Sequence, residues 1–414
     1  MERIFPFWKI PSGAQVCLYG AGQIGIDYYN TCRAFDWCTI LAWVDKTVTS
    51  ACGEMVTTPE SGNWIKIFDN ADIILIAIHN QETIKEVCEI LTKEYAVDLR
   101  KVVIGDTDEN LSSFLGWYYE HFLEMKPSAN LDCIFHDISF GEVLNFLRTA
   151  GKYCVNLKKD GIHGLEVYGS ECHRKNKFII FNDKYKRIGY WPGESYLPDF
   201  TVLDYAFSER NYIENNYNCR SYYPKEETIQ DRSIFSDREL LSRKFCNFVY
   251  YNQTYGDGSI VRKYFCKMLA RYKKVDCPGR VMNNMENAII PRFGNWKKGK
   301  SDFLKNYKFT IAFENRSISG YTTEKLFQPL SVGSIPIYWG NPDVCKYINK
   351  ECLINCNEYD NDFDAVVKRV IEIDSDPELY LHMVKTPPMN GNYRWDTESK
   401  KMEFLDRIVT DLFN

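Results

Sequence analysis

The sequence predicts an α/β protein with a doubly wound first domain and a following pair of α/β lobes. Over residues 14–107, short apolar runs alternate with amphipathic segments, a pattern typical of parallel βαβ units. The alternation returns from about residue 130, in an order that fits two lobes facing each other across a cleft. A chain of 414 residues is long enough for two or three domains.

The first domain is predicted from its apolar runs. QVCLYGAGQIG (15–25) indicates a strand entering a glycine-rich turn, and ILAWVD (40–45) indicates a second strand that ends in an acid. ADIILIAI indicates a buried strand, QETIKEVCEILTKEY an amphipathic helix, and KVVIG (101–105) a fourth strand. The polar stretch GDTDENLSS (105–113) is the predicted domain boundary.

The rest of the chain is predicted to form the two lobes. NKFIIFND (176–183) and KRIGYWPGE (186–194) indicate strands, and KFCNFVYYN (244–252) indicates a strand followed by the helix SIVRKYFCKMLARY. A strand–loop–helix–strand unit covers 307–340, and the tail is mainly helical. The predicted domains are 1–112, 126–238 and 239–414.

The segment 307–340 places charged residues where a strand gives way to a helix. The strand YKFTIAFEN ends in Glu314 and Asn315, and the following helix is predicted to be capped by Thr322 and closed by Gly333. The predicted helix also contains Pro329, which removes a backbone hydrogen bond and favours a kink.

Two charges occupy the first turn of this helix. The free amides and dipole of a helix start favour an anion, and Lys325 would reinforce that preference. Glu324 has the wrong charge for a phosphate and is better suited to accept hydrogen bonds from sugar hydroxyls. The segment alone is compatible with two interpretations, a solvated helix start and a ligand pocket.

The segment FENRSISGYTTEKLFQPLSVGSIPIYWGNP closely resembles the signature of the inverting α-1,3/4-fucosyltransferases, glycosyltransferase family ten. Thr322 stands where valine is usual in that family. The matching positions are Phe313, Glu314, Asn315, Tyr321, Thr323, Glu324, Lys325, Gly333, Pro336 and Gly340.

The resemblance extends over roughly residues 170–390. KFCNFVYYNQTYGDGSIVRKYF is similar to the family's arginine-bearing segment and puts Arg262 at the arginine position. YKKVDCPGRVMNN is similar to a further family segment. KRIGYWPGESYLPDFTVLDYAFS puts Glu194 at the catalytic acid, with Ser195 replacing an asparagine.

The resemblance implies a GT-B pair of Rossmann-like lobes that transfers fucose from GDP-β-L-fucose to O3 or O4 of a GlcNAc- or Glc-type glycan. Glu194 would be the general base, and Arg262 and Lys325 would stabilise the GDP leaving group. The donor-binding residues implied are Arg262, Glu314, Asn315, Tyr321, Thr323, Glu324 and Lys325. Outside the resemblance, Glu194 could be a turn acid, Arg262 a solvent-facing residue and Tyr321 a core aromatic.

The first domain carries a second candidate site. Gly20, Gly22 and Gly25 follow a strand, and Asp45 ends the next strand at about the spacing of a dinucleotide-binding fingerprint. The domain resembles the Rossmann-like units attached to many bacterial polysaccharide-biosynthesis proteins. The same glycines also serve tight strand–helix packing in domains that bind no nucleotide.

Two other functions compete with fucosyl transfer. An NAD-dependent sugar-nucleotide oxidoreductase should carry a set such as Tyr-x-x-x-Lys after the first domain, and none is seen. A non-catalytic polysaccharide-assembly scaffold would not need Glu194, Arg262, Glu324 and Lys325 together. No cofactor and no metal are demanded, since DFD (362–364) better fits a capped helix than a metal motif.

Composition and charge limit the classes of binding partner and the cellular locations that we expect. A net charge of −5 and a pI near 5.8 argue against a general nucleic-acid binder. No apolar run approaches the length of a membrane span, and the fifteen cysteines do not form paired motifs. We therefore expect a bacterial cytoplasmic enzyme, with peripheral membrane association at the inner face left open. The family resemblance, and not the composition, implies the acceptor: an oligosaccharide or a lipid-linked lipopolysaccharide or capsule precursor.

Overall fold

The computed structural model divides the chain into two compact units, Met1–Gly161 and Ile162–Asn414. The predicted division into domains 1–112, 126–238 and 239–414 stays a prediction. The structure describes residues 4–33, 35–51, 54–105, 110–122, 129–175, 177–192, 194–209, 215–218, 231–251, 253–254, 256–285, 296–390 and 398–413.

The first unit alternates strands and helices along its length. Its elements are β1 (Gln15–Tyr19), α1 (Gln23–Arg33), β2 (Thr39–Val44), β3 (Ser50–Ala51), β4 (Glu54–Met55), α2 (Trp64–Asn70), β5 (Ile73–Ile76), α3 (Gln81–Lys93), β6 (Val102–Ile104), α4 (Asn110–His121), β7 (Ala129–His136), α5 (Phe140–Thr149) and β8 (Tyr153–Leu157).

A parallel sheet in the order β2-β1-β5-β6 forms the centre of this unit. Its apolar runs are buried because helices pack on a parallel sheet. Helix α3 is capped by the Asn80 side chain and buries Ile84, Val87 and Leu91 at helical spacing. The doubly wound pattern predicted for residues 14–107 is confirmed, although residues 106–109 of the predicted boundary lie outside the described chain.

The second unit contains the remaining elements. They are β9 (Leu165–Tyr168), α6 (Ser170–Lys175), β10 (Lys186–Tyr190), β11 (Tyr205–Ser208), β12 (Asn216–Asn218), α7 (Asp237–Leu241), β13 (Lys244–Asn247), α8 (Gly258–Leu269), β14 (Val275–Asp276), α9 (Trp296–Leu304), β15 (Tyr307–Phe313), α10 (Glu324–Ser331), β16 (Ile335–Trp339), β17 (Ile354–Asn355), α11 (Phe363–Ser375), α12 (Pro377–Lys385) and α13 (Glu398–Phe413).

Two groups of parallel strands organise the second unit. Four strands run in the order β12-β11-β10-β9, and five run in the order β14-β13-β15-β16-β17. The five-stranded sheet packs against α8, α11 and α12 around a core that includes Phe265, Phe309, Ile337 and Val370. Because its strands are parallel, their carboxyl ends meet at one edge, where ligands bind in open α/β sheets.

One predicted strand is wrong. Residues 177–183 of NKFIIFND form an irregular segment, and Asn176 lies outside the described residues. The Glu166 carboxylate accepts hydrogen bonds from the backbone amides of Phe181 and Asn182, at 2.9 and 2.5 Å. A side chain thus satisfies backbone groups that a strand would pair with a neighbour.

Strand β13 is shorter than the predicted 244–252 and ends at Asn247. Asn252, the last residue of that prediction, lies outside the described residues. Among the helices that the structure describes, none combines the length and the apolar character needed to cross a bilayer.

Candidate active site

The candidate site lies where β15 ends and α10 begins. Glu314 follows the central strand β15 directly and is completely buried. Its carboxylate accepts a hydrogen bond from the backbone amide of Thr323 at 2.7 Å and another from the Thr323 hydroxyl at 2.8 Å. The carboxylate at the strand end therefore fixes the residue that starts the helix.

Thr323, not the predicted Thr322, caps α10. The Thr323 hydroxyl accepts from the backbone amide of Lys325 at 3.4 Å. The Thr322 hydroxyl instead contacts the Tyr347 hydroxyl and accepts a hydrogen bond from the Asn341 side chain at 3.0 Å. A buried polar network thus accommodates threonine where the family usually has valine.

Helix α10 otherwise matches its prediction. Leu326 and Leu330 are buried, and Gly333 follows the helix with a φ of +67°, the left-handed conformation that glycine favours. Pro329 lies inside the helix, which continues to Ser331.

Lys325 is held between two carboxylates. Its Nζ lies 3.3 Å from Glu314 Oε2 and 3.5 Å from Glu324 Oε1, and its side chain is only 14% exposed. Nζ also donates to the Thr323 hydroxyl at 3.0 Å. Burial disfavours the lysine charge, but the two carboxylates outweigh burial and raise the pKa of Lys325 well above its usual range. A permanent cation therefore sits at the helix start.

The pKa values of the two carboxyl groups shift in opposite directions. Burial raises the pKa of Glu314, against the opposing influence of Lys325. For Glu324, burial acts in the same direction, but the positive charges of Lys325 and Lys300 outweigh it and lower the pKa to about 2. Glu324 therefore remains an acceptor-only carboxylate at neutral pH.

Arg262 supplies a second cation at this edge. It lies on α8 and is 1% exposed, with Nη1 donating to Asn315 Oδ1 at 3.2 Å. Its guanidinium lies 4.2 Å from the centroid of the Tyr250 ring, a cation–π contact. Burial lowers the pKa of Arg262 from its usual value. The strand-end residue Asn315 thus meets the arginine that the sequence singled out.

Glycines allow these elements to approach closely. A Cβ on Gly258 would lie 2.0 Å from the backbone oxygen of Glu314, and a Cβ on Gly340 would lie 2.5 Å from Glu314 Cγ. Both distances are shorter than any van der Waals contact, so the start of α8 and the end of β16 require glycine beside Glu314.

Sequence reasoning missed three residues of this region. The Tyr250 hydroxyl contacts the backbone carbonyls of β15, Lys300 on α9 interacts electrostatically with Glu324 and Lys325, and the buried Glu209 interacts with Tyr321. Tyr250 lies in the predicted strand KFCNFVYYN, but no periodicity or motif in the sequence marks Lys300 or Glu209. Tyr321 itself is 2% exposed, and burial raises its pKa.

Glu194 occupies a different part of the second unit. It follows β10, is partly buried, and donates its backbone amide to the Trp191 carbonyl at 3.3 Å. Gly193 beside it lies outside the described residues. Ser195 is 1% exposed, and its hydroxyl has no hydrogen-bond partner among the residues described. The structure thus brings the candidate donor-binding residues together and places Glu194 near the end of a different strand.

The glycine-rich turn of the first unit is held by Asp45. Gly20 has a φ of +106°, and a Cβ on Gly25 would lie 2.0 Å from the Gly20 oxygen, whereas Gly22 faces open space. The Asp45 carboxylate accepts from the backbone amides of Ala21, Thr47 and Val48 at 2.8–3.0 Å.

These contacts use much of the acceptor capacity that Asp45 would offer to a ribose. Burial would raise the pKa of Asp45, but the three backbone hydrogen bonds outweigh it and lower the pKa. Close strand–helix packing explains Gly20 and Gly25. A nucleotide at this turn stays a prediction.

The DFD segment is a helix cap, as predicted. Asp362 accepts from the backbone amides of Asp364 and Ala365 and starts α11. Within the described residues, no group of three or more His, Cys, Asp or Glu side chains is placed to hold a metal ion.

Known proteins resemble this chain in sequence and in fold. Residues 241–398 match the model of the glycosyltransferase family 10 (fucosyltransferase) C-terminal domain. An α-(1,3)-fucosyltransferase of Helicobacter pylori is 26% identical over 260 residues, which are 54% of this chain and 51% of that protein. The human GDP-fucose protein O-fucosyltransferase 3 is 28% identical over 192 residues, 44% of this chain and 39% of that protein. The chain therefore spans about half the length of the first of these relatives, and less of the second.

Solved structures extend the similarity beyond the matched domain. A crystal structure of an α1,3-fucosyltransferase with GDP-fucose superposes with a TM-score of 0.51 at 20% identity, over 72% of this chain and 97% of that one. A second crystal structure of an α1,3-fucosyltransferase gives 0.52 at 22% identity, over 69% and 91%. The predicted GT-B-like fold is thus confirmed, and residues 241–398 match the C-terminal domain of the family 10 glycosyltransferases.

Proposed function

We propose that the chain is an inverting fucosyltransferase that uses GDP-β-L-fucose. The observation that carries the proposal is that the buried cations Lys325 and Arg262 contact the adjacent strand-end residues Glu314 and Asn315, within the segment that matches family 10. Two buried cations at one sheet edge, one of them at a helix start, suit the negative charge of a diphosphate.

The donor side would stabilise the departing GDP. Negative charge grows on the diphosphate as the C1–O bond of fucose breaks, and fixed cations lower the energy of that state. Arg262 offers a planar fork of N–H donors, while Lys325 offers a compact charge. Lys300 would add a third positive charge near the same helix start.

The sugar would meet acceptor groups at the same edge. Ionised Glu324 is 26% exposed at its side chain and is suited to accept hydrogen bonds from fucose hydroxyls. Asn315 and Tyr321 would complete the wall of the pocket. Glu314 and Thr323, which bond to each other, would support the helix start from below.

Glu194 would act as the general base. It would take the proton of the acceptor hydroxyl while the hydroxyl oxygen attacks C1 from the face opposite GDP. The new C1–O bond forms as the bond to the diphosphate breaks, so the β-linked donor gives an α-linked product. The fixed cations supply the charge stabilisation, so we propose that transfer needs neither a redox cofactor nor a divalent metal.

Two acceptor classes enter the proposal. We favour O3 or O4 of a GlcNAc- or Glc-type unit on an oligosaccharide or lipid-linked glycan, and the α-(1,3) linkage in the Helicobacter relative's name supports O3. The name of the protein O-fucosyltransferase relatives supports a second candidate, a hydroxyl on a polypeptide.

To test the proposal, the full chain is incubated with GDP-fucose as the donor, with and without EDTA. The acceptors are LacNAc, lactose, a type 1 disaccharide and a serine/threonine peptide library. We expect EDTA-resistant transfer to a saccharide. Glu194→Gln should lower kcat by roughly 10²- to 10⁴-fold and leave the affinity for GDP-fucose unchanged in calorimetry. Glu171→Gln, an acid on α6, is the matched control.

Each outcome has a separate meaning. Transfer only to peptides would favour the protein acceptor. Full activity of Glu194→Gln would show that Glu194 is not the general base and would leave the rest of the proposal unchanged. Absence of both transfer and GDP-fucose binding would overturn the proposed function.

A further inference from the structure

The irregular segment 177–184 of the second unit exposes three consecutive apolar side chains. Ile179, Ile180 and Phe181 are 46%, 47% and 57% exposed. Single exposed apolar residues are ordinary on a protein surface, but contiguous ones mark surfaces that meet a partner or a membrane. We call this segment the apolar loop.

The apolar loop is held in shape from below. Glu166 is completely buried, and its Oε1 accepts the backbone amides of Phe181 and Asn182. The Tyr168 hydroxyl bonds to Glu166 at 2.6 Å and lies 3.1 Å from the Ile179 carbonyl. The backbone of the loop is thus fixed by buried groups while its apolar side chains face solvent. A fixed loop loses little conformational entropy when it binds.

Positive charge borders the apolar loop on both sides. Lys177 precedes it and Lys184 follows it, and both are exposed. Arg174 and Lys175 on α6 share the carboxylate of Glu171 and add to the positive charge before the loop. Asp183 is the acid within the segment. Apolar side chains framed by cations are complementary to the interfacial region of a bilayer that contains anionic lipid.

We propose that the apolar loop docks the protein on anionic membranes. Ile179, Ile180 and Phe181 enter the interfacial layer, and Lys177 and Lys184 lie against lipid phosphates. A bilayer can receive three exposed apolar side chains without a matching shape, and the exposed lysines on both sides of the loop favour an anionic surface. The proposal does not depend on the acceptor or on the transfer reaction.

The test measures sedimentation of the full chain with vesicles of phosphatidylcholine, alone or mixed with phosphatidylglycerol. We expect binding to the anionic vesicles that weakens when NaCl is raised from about 0.1 to about 0.5 M. Ile179→Ser combined with Ile180→Ser should weaken this binding by about tenfold or more. Lys177→Gln combined with Lys184→Gln should remove the preference for anionic lipid.

The matched control replaces two equally exposed apolar residues of the first unit. Ile65 and Leu99 are 53% and 50% exposed, so Ile65→Ser combined with Leu99→Ser should bind vesicles like the wild type. The proposal is overturned if the wild-type chain stays in the supernatant, or if the loop variant and the control bind equally. Transfer to a soluble acceptor, measured on the same variants, should be unchanged and distinguishes loss of docking from loss of catalysis.

Discussion

Arg262 shows how one residue combines burial, stacking and a hydrogen bond. Its guanidinium lies over Tyr250 and donates to Asn315, so its plane is fixed before any ligand arrives. A lysine at this position would keep the charge but lose the planar fork and the stacking surface.

Arg262→Lys should therefore lower kcat/KM for transfer from GDP-fucose by roughly 10²-fold. Lys267→Arg, an exposed residue on the same helix, should leave transfer unchanged. Steady-state kinetics with saturating acceptor measure the effect. Equal activity of Arg262→Lys and wild type would show that the arginine does not contact the diphosphate.

The lowered pKa of Glu324 should make the stability of the protein depend on pH in a predictable direction. Its pKa is lowered to about 2 in the folded state, so its contribution to stability is complete above the unfolded value near 4.5 and is lost as the pH falls toward 2. The melting temperature of wild type should exceed that of Glu324→Gln at pH 6, and the difference should shrink as the pH falls to about 3.

Glu403 is an exposed acid on α13, and Glu403→Gln serves as the control variant. Thermal melts at several pH values measure the difference in melting temperature between each variant and the wild type. A difference that stays constant from pH 6 to 3 would contradict a lowered pKa. Glu314, whose pKa burial raises, acts in the opposite sense and is kept intact in both proteins.

Not every residue of the site could be found from sequence. Glu314, Asn315, Thr323, Glu324 and Lys325 were identified because they share one short signature on one strand–helix turn. Lys300 and Glu209 come to the site from distant elements, α9 and the end of β11, and only the folded chain reveals them. The helix cap was misplaced by one residue because both Thr322 and Thr323 are suitable caps.

Elements with a strong period were predicted well. The amphipathic spacing of α3 and the apolar runs of β5 and β15 each matched the structure, because burial of one face or of both faces dictates the pattern. For residues 177–183, the same reasoning from an apolar run predicted a strand that the structure does not contain. A short apolar run indicates burial only when a neighbouring strand is available, and here a glutamate side chain binds the backbone instead.

The junction of β15 and α8 is the tightest contact between two elements of the site. The start of α8 lies against the Glu314 carbonyl, and Gly258 leaves room for that oxygen. Gly258→Ala should lower the free energy of unfolding by about 1–3 kcal/mol, since a backbone oxygen cannot move aside.

Gly299→Ala is the informative comparison for this substitution. Gly299 lies inside α9 with nothing within 4 Å of its would-be Cβ, so alanine should stabilise that helix by about 0.5–1 kcal/mol. Urea unfolding followed by circular dichroism measures both variants. A neutral Gly258→Ala would show that α8 can shift away from the strand end.

At the scale of the whole molecule, two units carry separate cores. Residues such as Val44, Ile74 and Leu91 form the core of the first unit, and Phe265, Ile311 and Ile337 form that of the second. Where two units unfold separately, a ligand stabilises by mass action only the unit that binds it.

GDP at about 100 times its Kd should therefore stabilise the second unit by about 2.7 kcal/mol and raise its calorimetric transition by about 5–10 °C. The transition of the first unit should not move. Differential scanning calorimetry of the full chain measures both. A shift of both transitions by the same amount would indicate that the two units unfold together.

The position of Lys325 between Glu314 and Glu324 has a consequence for selectivity. In the ligand-free protein two carboxylates already balance the charge of the Lys325 ammonium, so we expect chloride or phosphate to bind it weakly. Glu324 would also repel such an ion. A nucleotide sugar brings hydroxyl donors for Glu324 together with the anion for Lys325, and we expect that only this combination competes well. We therefore expect the acids beside the lysine to disfavour the binding of chloride and phosphate.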